Sequence, residues 1–331
     1  MTARVLIVIP TLNEASHIDR VLDGLMPFVR RHPARIVVAD GGSTDGTRER
    51  VARRPEAEIT LIENPNRLQS AAVNLAVEAC GAGTEFLIRI DAHSAYPEDY
   101  CDVLLQEARA TGADAVVVGM KAVGSGFWQS LIAAAQNSRV GNGGSAHRVA
   151  PVGRFVDHGH HALMRIDAFR QVGGYDETFS HNEDAELDLR LRREGFRIWL
   201  TPRTRVDYFP RHSIRALVKQ YFAFGMGRAR NNLKHRSLPG LRQAVLVALM
   251  PALAMAVLVP IHWLFAVPFA LWIAGCLVGG VMIAREIGSA GGILSGFAAG
   301  AMHVAWSAGF WAHLFRHLGG LRDIGRAGAP A

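Results

Sequence analysis

From Ala244 to Ala284 the chain runs 41 residues without a single Asp, Glu, Lys or Arg. Soluble domains carry surface charge at far shorter intervals, whereas a helical bilayer span needs ~20 predominantly apolar residues. The stretch therefore accommodates two spans, Ala244–Val259 and Trp263–Ala284, turning near Pro260–His262. Ile293–Phe315 is a third apolar candidate. Three full crossings would leave the C-terminus outside, yet Arg316, Arg322 and Arg326 favour the cytoplasmic side. The third segment, entered through Gly291 and Gly292 and carrying Gly296 and Gly300, is the one expected to be re-entrant or interfacial.

Residues 1–240 have ordinary soluble composition, so the 331-residue chain pairs a soluble domain with a membrane domain. Charged residues make up 20% and mean hydropathy is +0.14, which excludes a disordered or coiled-coil protein. Ten Lys+Arg and one acid, Asp207, lie between Arg203 and Arg242. A basic stripe at that place suits the anionic inner leaflet and not a nucleic acid. Ile214–Met226, flanked by Arg211, Arg215, Lys219 and Arg228, has the pattern of a helix lying on a membrane surface. Val5–Ile9 is too short for a signal-peptide core, so the soluble domain is expected in the cytoplasm, held at the inner membrane. The expected boundaries are 1–210 for the soluble domain, 211–242 for the juxtamembrane segment, 243–318 for the membrane helices and 319–331 for a basic tail. Cys80, Cys101 and Cys276 are scattered without CxxC spacing, which excludes a disulfide scaffold and a cysteine zinc site.

Short apolar runs alternate with polar helical segments over the first 120 residues. Val5–Ile9, Ile36–Ala39, Ile59–Ile62, Phe86–Ile90 and Ala115–Val118 read as buried strands. Ala15–Arg30, Gly46–Arg53, Ser70–Ala79 and Pro97–Ala110 read as the helices between them, and Leu163–Val172 and Ala185–Glu194 as later ones. Such a rhythm predicts an α/β fold whose mostly parallel sheet is covered on both faces. Ligands of such sheets bind beyond the carboxyl ends of the strands. That directs attention to residues 10–14, 40–45 and 91–93.

Three segments there, and a fourth farther along the chain, carry chemistry. The first strand ends in Pro10-Thr11-Leu12-Asn13-Glu14, the second in Asp40-Gly41-Gly42-Ser43-Thr44-Asp45-Gly46-Thr47. Asp40 is placed to accept hydrogen bonds from a base or ribose, and Asp45 to cap the next helix. Asp91-Ala92-His93 follows the fourth strand; in extended chain the carboxylate and imidazole share a face and suit Mn²⁺ or Mg²⁺ already bound by a diphosphate. Glu183-Asp184 opens a helix, with Asp184 as a general base whose proton affinity Glu183 raises by like-charge repulsion. The sequence is neither GxGxxG nor a Walker loop.

In this order the four segments resemble the family-2 inverting glycosyltransferases of GT-A fold, over residues 4–210. Asp157-His158-Gly159-His160-His161 and Gln220-Tyr221-Phe222 through Gly225-Met226-Gly227-Arg228, followed by membrane spans, resemble the succinoglycan-type glucosyltransferases within that family. The resemblance implies a nucleotide-diphospho-sugar donor, UDP-glucose foremost, and a lipid-linked saccharide acceptor at the cytoplasmic membrane face, alongside other polysaccharide-assembly proteins. It implies donor contacts from Pro10, Thr11, Asn13, Glu14, Asp40, Asp45, Asn74 and Asp91, with Asp91 and His93 on a divalent metal. It places Asp157, His160, His161, Tyr175, Glu183 and Arg228 on the acceptor side and makes Asp184 the base. Departures are His93 in place of a second Asp, Leu68 and Val73 where many relatives have Gly and Arg, and no Gln-x-x-Arg-Trp of processive synthases. Two other readings compete: transfer to polyprenyl phosphate in the manner of dolichol-phosphate mannose synthase, and a non-catalytic membrane scaffold.

Overall fold

The computed structural model describes residues 4–143 and 152–318. They form two compact units, one from the residues up to Lys121 with 152–209, the other from 122–143 with 210–318. The expected tail 319–331, with Arg322 and Arg326, lies outside the described residues.

The first unit is built on one sheet. Its strands are β1 (Val5–Thr11), β2 (Ala34–Asp40), β3 (Ile59–Glu63), β4 (Phe86–Arg89), β5 (Ala115–Ala122), β6 (Arg154–Val156), β7 (His160–Arg165) and β8 (Ile198–Tyr208), in the order β3-β2-β1-β4-β7-β5-β8-β6. Helices α1 (Ile18–Arg31), α2 (Thr47–Ala52), α3 (Gln69–Cys80) and α4 (Tyr100–Thr111) connect the early strands. Alternation along each strand feeds two cores. Val5, Ile7 and Ile9 face Leu22 and Phe28 of α1 and Leu104 of α4, while Leu6 and Val8 face Val73 and Val77 of α3. In the parallel half, β3-β2-β1-β4, the first three strands end in register, with Thr11 opposite Asp40 and Asp40 opposite Glu63, while β4 ends at Arg89 opposite Val8. The chemistry-bearing loops thus leave from one edge.

One expected helix divides in two. Leu163–Val172 is the end of β7 followed by the short α7 (Ile166–Gln171). Ala162, Leu163 and Met164 favour helix locally, but β7 runs antiparallel between β4 and β5, where full burial in the sheet outweighs that propensity. Past β4 the sheet is therefore mixed. Helix α8 (Glu183–Arg193) lies on the same core as α3 through Leu187 and Leu191.

The second unit contains α5 (Phe127–Asn137), α6 (Arg139–Asn142), α9 (Ile214–His235), α10 (Leu241–Ala254), α11 (Val267–Ile287) and α12 (Gly292–Leu318). Residues 122–143 join this unit, although by sequence position they fall inside the expected catalytic domain. Their affiliation follows from packing: Ile132 and Ala135 of α5 share a buried cluster with Leu217 of α9 and Ala298, Ala299 and Met302 of α12. Backbones approach closely where α9 crosses α12. A Cβ on Gly225 would collide with the Trp306 carbonyl oxygen, and one on Gly309 with the Phe222 carbonyl oxygen. Leu241–Leu258, Trp263–Ile287 and Gly292–Leu318 are each long and apolar enough to cross a bilayer. The hairpin expected around Pro260–His262 is present as the turn between the first two.

Candidate active site

The β1 and β2 loops lock onto each other. The Asp40 carboxylate is buried and accepts hydrogen bonds from Thr11 Oγ1 (3.1 Å), Gly42 N (2.9 Å) and Ser43 N (2.9 Å). The sequence offers Asp40 to a base or ribose; in the fold its oxygens hold the loop that would receive one. Asp45 plays a similar part, accepting from Ala15 N at 2.9 Å and Thr47 N at 3.1 Å, which joins the β1 loop to the start of α2. Its hydrogen bonds, that from the Thr47 hydroxyl first, lower its proton affinity. Asn13, in the left-handed region at φ 59°, accepts from Thr44 N at 2.9 Å and its own N–H reaches Ser43 Oγ at 2.8 Å. Glu14 N donates to Thr47 Oγ1 at 2.9 Å. Pro10 is the last residue but one of β1.

A second constellation joins β4, β7 and α8 around Arg89. This guanidinium is buried at the end of an otherwise apolar strand. It donates to both oxygens of Asp184, at 2.7 and 3.1 Å, and to the Tyr175 hydroxyl at 2.9 Å. Its Nε lies 4.0 Å from Asp91 Oδ1. His160 stands between the two carboxylates, 3.6 Å from Asp91 and 3.8 Å from Asp184. Asp91 and Asp184, 93 positions apart in the chain, therefore face one shared pair of partners. Asp40 belongs to the same edge but to the neighbouring β1–β2 loop network.

The electrostatics follow from that burial. Desolvation alone would push Asp184 up; Arg89, then His161 and His160, hold it well below the usual carboxylate range. Glu183 takes the opposite shift: burial, then the charge of Asp184, push it up to about 7. The like-charge effect expected to raise Asp184 thus falls on Glu183, because Arg89 grips only the second member of the pair. Burial, then Arg89, push His160 down to about 4, so it is neutral at pH 7.

Behind this layer, Asp188 lies one helical turn after Asp184 and is fully buried. It meets His158 Nδ1 and His161 Nε2, each at 2.6 Å. Burial would raise the Asp188 carboxyl, but His161 and His158 hold it down; burial would lower His161, but Asp188 raises it. His161 is thus a buried anchor of β7, and His160 is the residue of that pair turned to the carboxylates. Tyr175 is buried against Phe169 and offers the site its hydroxyl, which donates to Asp184 at 2.9 Å, and not a ring face for a sugar. Asn74 accepts from Tyr175 N at 2.8 Å and donates to Tyr175 O at 2.8 Å and Glu177 at 3.0 Å, so it shapes the 173–177 loop. Asp157 is exposed, 3.4 Å from Arg192. Arg228 is half-buried on α9 of the helical unit.

Asp91 and His93 have different partners. Asp91 accepts from Gln69 Nε2 at 2.7 Å, whereas His93 Nδ1 meets Glu14 Oε1 at 2.9 Å. Among the described residues no group of three or more His, Cys, Asp or Glu is arranged to hold an ion by itself. A carboxylate and an imidazole fit Mn²⁺ or Mg²⁺ when a diphosphate supplies most of the ligands. Arg89, Asp188 and Gln69 are functional neighbours that the sequence motifs do not single out. A signal exists for two of them: a lone Arg in the buried run Phe86–Arg89, and an acid four residues after Asp184 on one helix face.

Comparison with known proteins gives the family and the fold. The family model described as "Glycosyl transferase family 2" matches residues 6–173. The chain is 54% identical over 312 residues to "Succinoglycan biosynthesis protein ExoA" of Rhizobium meliloti (strain 1021), covering 93% of this chain and 94% of that one. It is 27% identical over 238 residues to a dolichyl N-acetyl-alpha-D-glucosaminyl phosphate 3-beta-D-2,3-diacetamido-2,3-dideoxy-beta-D-glucuronosyltransferase of Methanococcus voltae, covering 66% and 71%. Among solved structures, the mannosyltransferase PcManGT from Pyrobaculum calidifontis in complex with GDP-Man and Mn²⁺ superposes with a TM-score of 0.59 at 19% identity, covering 95% of this chain and 88% of that one. The fold is GT-A, and the chain belongs to glycosyl transferase family 2.

Proposed function

We propose that this glycosyltransferase moves a hexose, glucose in the first instance, from a UDP-sugar to a saccharide carried on polyprenyl diphosphate, with inversion, during assembly of a succinoglycan-type exopolysaccharide. The observation that carries the reading is the Arg89–His160 bridge, which brings Asp91 beside Asp184. Asp91 serves the donor and Asp184 the acceptor. The extensive identity to the Rhizobium protein supports the product class, and the dolichyl phosphate saccharide in the name of the Methanococcus relative supports a lipid-linked acceptor. The reading places the catalytic unit on the cytoplasmic side of the inner membrane.

In this mechanism the β1 and β2 loops, fixed by Asp40 and Asp45, receive the nucleoside, and Asp91 with His93 would hold a divalent ion. That ion, when bound, supplies positive charge against the charge developing on the departing UDP. Asp184 removes the acceptor proton as the hydroxyl oxygen attacks the anomeric carbon and the sugar–phosphate bond breaks. Arg89 and the Tyr175 hydroxyl aim its carboxylate, and neutral His160 separates it from Asp91. One carboxylate suffices, because no covalent sugar–enzyme intermediate is formed.

Washed membranes given labelled UDP-hexoses and extracted lipid-linked acceptor test this. Asp184→Asn is expected to lower transfer about 10²–10⁴-fold, the usual span for a general base, while retaining UDP binding. Chelation is expected to stop transfer, and Mn²⁺ or Mg²⁺ to restore it. Product on bare polyprenyl phosphate would transfer the reading to the polyprenyl-phosphate class. Unchanged turnover in Asp184→Asn would remove Asp184 from its role.

A further inference from the structure

Phe127 and Trp128 open α5 with their rings in edge-to-face contact, centroids 5.3 Å apart, and they are 60% and 52% exposed. Among the described residues neither a core nor a partner helix covers them. Further along the helix, Ile132 and Ala135, which share the face of Trp128, are buried with Ala298, Ala299 and Met302 of α12, so the two exposed rings stand where that packed stripe ends. The corner is also rigid. The buried Gln129 accepts from Ser125 N at 2.7 Å and from Ser125 Oγ at 2.8 Å, and donates to the Pro210 carbonyl at 2.7 Å. Gly126, at φ +76°, makes the turn that precedes the two rings. Two large apolar side chains are thus presented on a braced surface rather than on a loose loop.

What surrounds the corner identifies its occupant. The Gln129 strap ends at Pro210, immediately before the exposed Arg211, Arg215 and Lys219, with exposed Val218 among them on α9. The unit that carries both features also carries α10, without one buried residue, and α11, with many exposed apolar side chains. Aromatic rings beside lysines and arginines, next to spanning helices, match the headgroup zone of a bilayer: the rings favour the water–lipid boundary and the cations favour anionic headgroups. A saccharide would call for planar hydrogen-bonding side chains beside the rings, and the polar side chain next to them, Gln129, is committed to the strap.

We propose that Phe127 and Trp128, with Arg211, Arg215 and Lys219, form an interfacial anchor that seats the helical unit in an anionic bilayer surface, separately from its spanning hairpin. Phe127 and Trp128 fall by sequence position inside the expected 1–210 domain, and the anchor joins them to three cations of the juxtamembrane segment. It does not depend on which sugar is transferred or on whether transfer occurs at all.

The test reads depth without turnover. The full chain, with Cys80, Cys101 and Cys276 replaced by Ala and Trp128→Cys carrying a fluorescent label, is placed in nanodiscs of phosphatidylethanolamine and phosphatidylglycerol. Quenching by lipids bearing a nitroxide near the headgroup is expected to exceed mid-chain nitroxide quenching about two-fold, as for groups ~5–10 Å into the boundary. Iodide in the water is expected to quench the label poorly. Phe127→Cys gives the same pattern, which guards against a local fault of one variant. Arg211→Glu with Arg215→Glu weakens shallow quenching in these discs and leaves it unchanged in phosphatidylcholine alone. Free access of iodide with no nitroxide quenching overturns the proposal, and so does protection from both quenchers, which would mean that protein covers the corner.

Discussion

The two units solve opposite solvation problems. In the catalytic unit the charged side chains of the site are gripped: Asp184 by Arg89, Asp188 by two histidines, Asp40 by its own loop. In the helical unit the close contacts are made of small residues and backbone, and no residue of α10 is buried against protein. Water penalises an exposed apolar helix and tolerates an exposed carboxylate; hydrocarbon does the reverse. Position in the first unit is therefore set by ion pairs, and in the second by glycine.

Helix α12 is where that contrast can be broken most completely. More than half of its most apolar stretch is buried inside the protein, and Ser295 and Ser307 are fully buried. It lies against α9, which carries Arg215, Lys219, Arg228, Arg230 and Lys234. If α12 crossed the bilayer, it would draw several of these cations towards the hydrocarbon, at a cost of about 2.5–3.5 kcal/mol each on insertion scales. Two spans, α10 and α11, are expected, with α12 as the core helix of the membrane-face assembly. Leu318→Cys should then be labelled by an impermeant maleimide only in inside-out vesicles, and Ile261→Cys only in right-side-out ones. Labelling of Leu318→Cys from the Ile261 side would establish three crossings.

The next largest effect is expected at Arg89. Removing one partner of a buried pair costs roughly 3–5 kcal/mol, so Arg89→Met should lower thermal stability and transfer together. The sign with pH is fixed by the Asp184 carboxyl, whose folded proton affinity lies below its unfolded one. Its contribution to stability is complete above the ordinary Asp range and is lost as pH falls through the lower folded value. Arg89→Met should abolish that acid-side loss and move the acid limb of transfer to higher pH. A stability–pH curve parallel to the wild type would show that the pair does not set the Asp184 charge.

Much of the fold is legible in the amino-acid pattern alone. Short apolar runs mark β1 to β5, and the loops at 10–14, 40–45 and 91–93 do leave the carboxyl edge of the parallel half. What local pattern cannot supply is partner choice. Asp91, Arg89, His160 and Asp184 come from three regions of the chain, and only the insertion of β7 beside β4 makes His160 a neighbour of both acids. Local pattern also misleads at Leu163–Arg165, where helix-forming residues serve a buried strand, and at Tyr175, where a loop tyrosine is core. The allegiance of Phe127–Asn137 to the helical unit is equally invisible, because it depends on what α12 presents to it.

Glycine provides the corresponding test in the second unit. Gly225→Val must displace the Trp306 carbonyl or part α9 from α12. Forced overpacking costs about 1–3 kcal/mol and often more against backbone. Gly275 lies mid-helix in α11 with nothing within 4 Å of a built Cβ, so Gly275→Ala should be neutral or stabilising by up to ~1 kcal/mol. Detergent-solubilised melting of the two variants measures the difference. Equal tolerance at both positions would mean that close backbone approach is not what holds this unit together.

The smallest effect is expected at Glu183, the one carboxylate of the α8 pair that Arg89 does not grip. Burial and the Asp184 charge push it up to about 7, so it ionises across the working pH range while Asp184 stays charged throughout. Ionisation adds negative charge next to Asp184 and strengthens its attraction for the acceptor proton. Transfer should therefore rise through pH 7 by about three- to ten-fold, on the order of 1 kcal/mol for neighbouring charges at a partly wet site. Glu183→Gln should hold the rate at the low-pH level and flatten the step. A step that survives in Glu183→Gln would have to come from another group, and the division of labour between the two carboxylates would be lost.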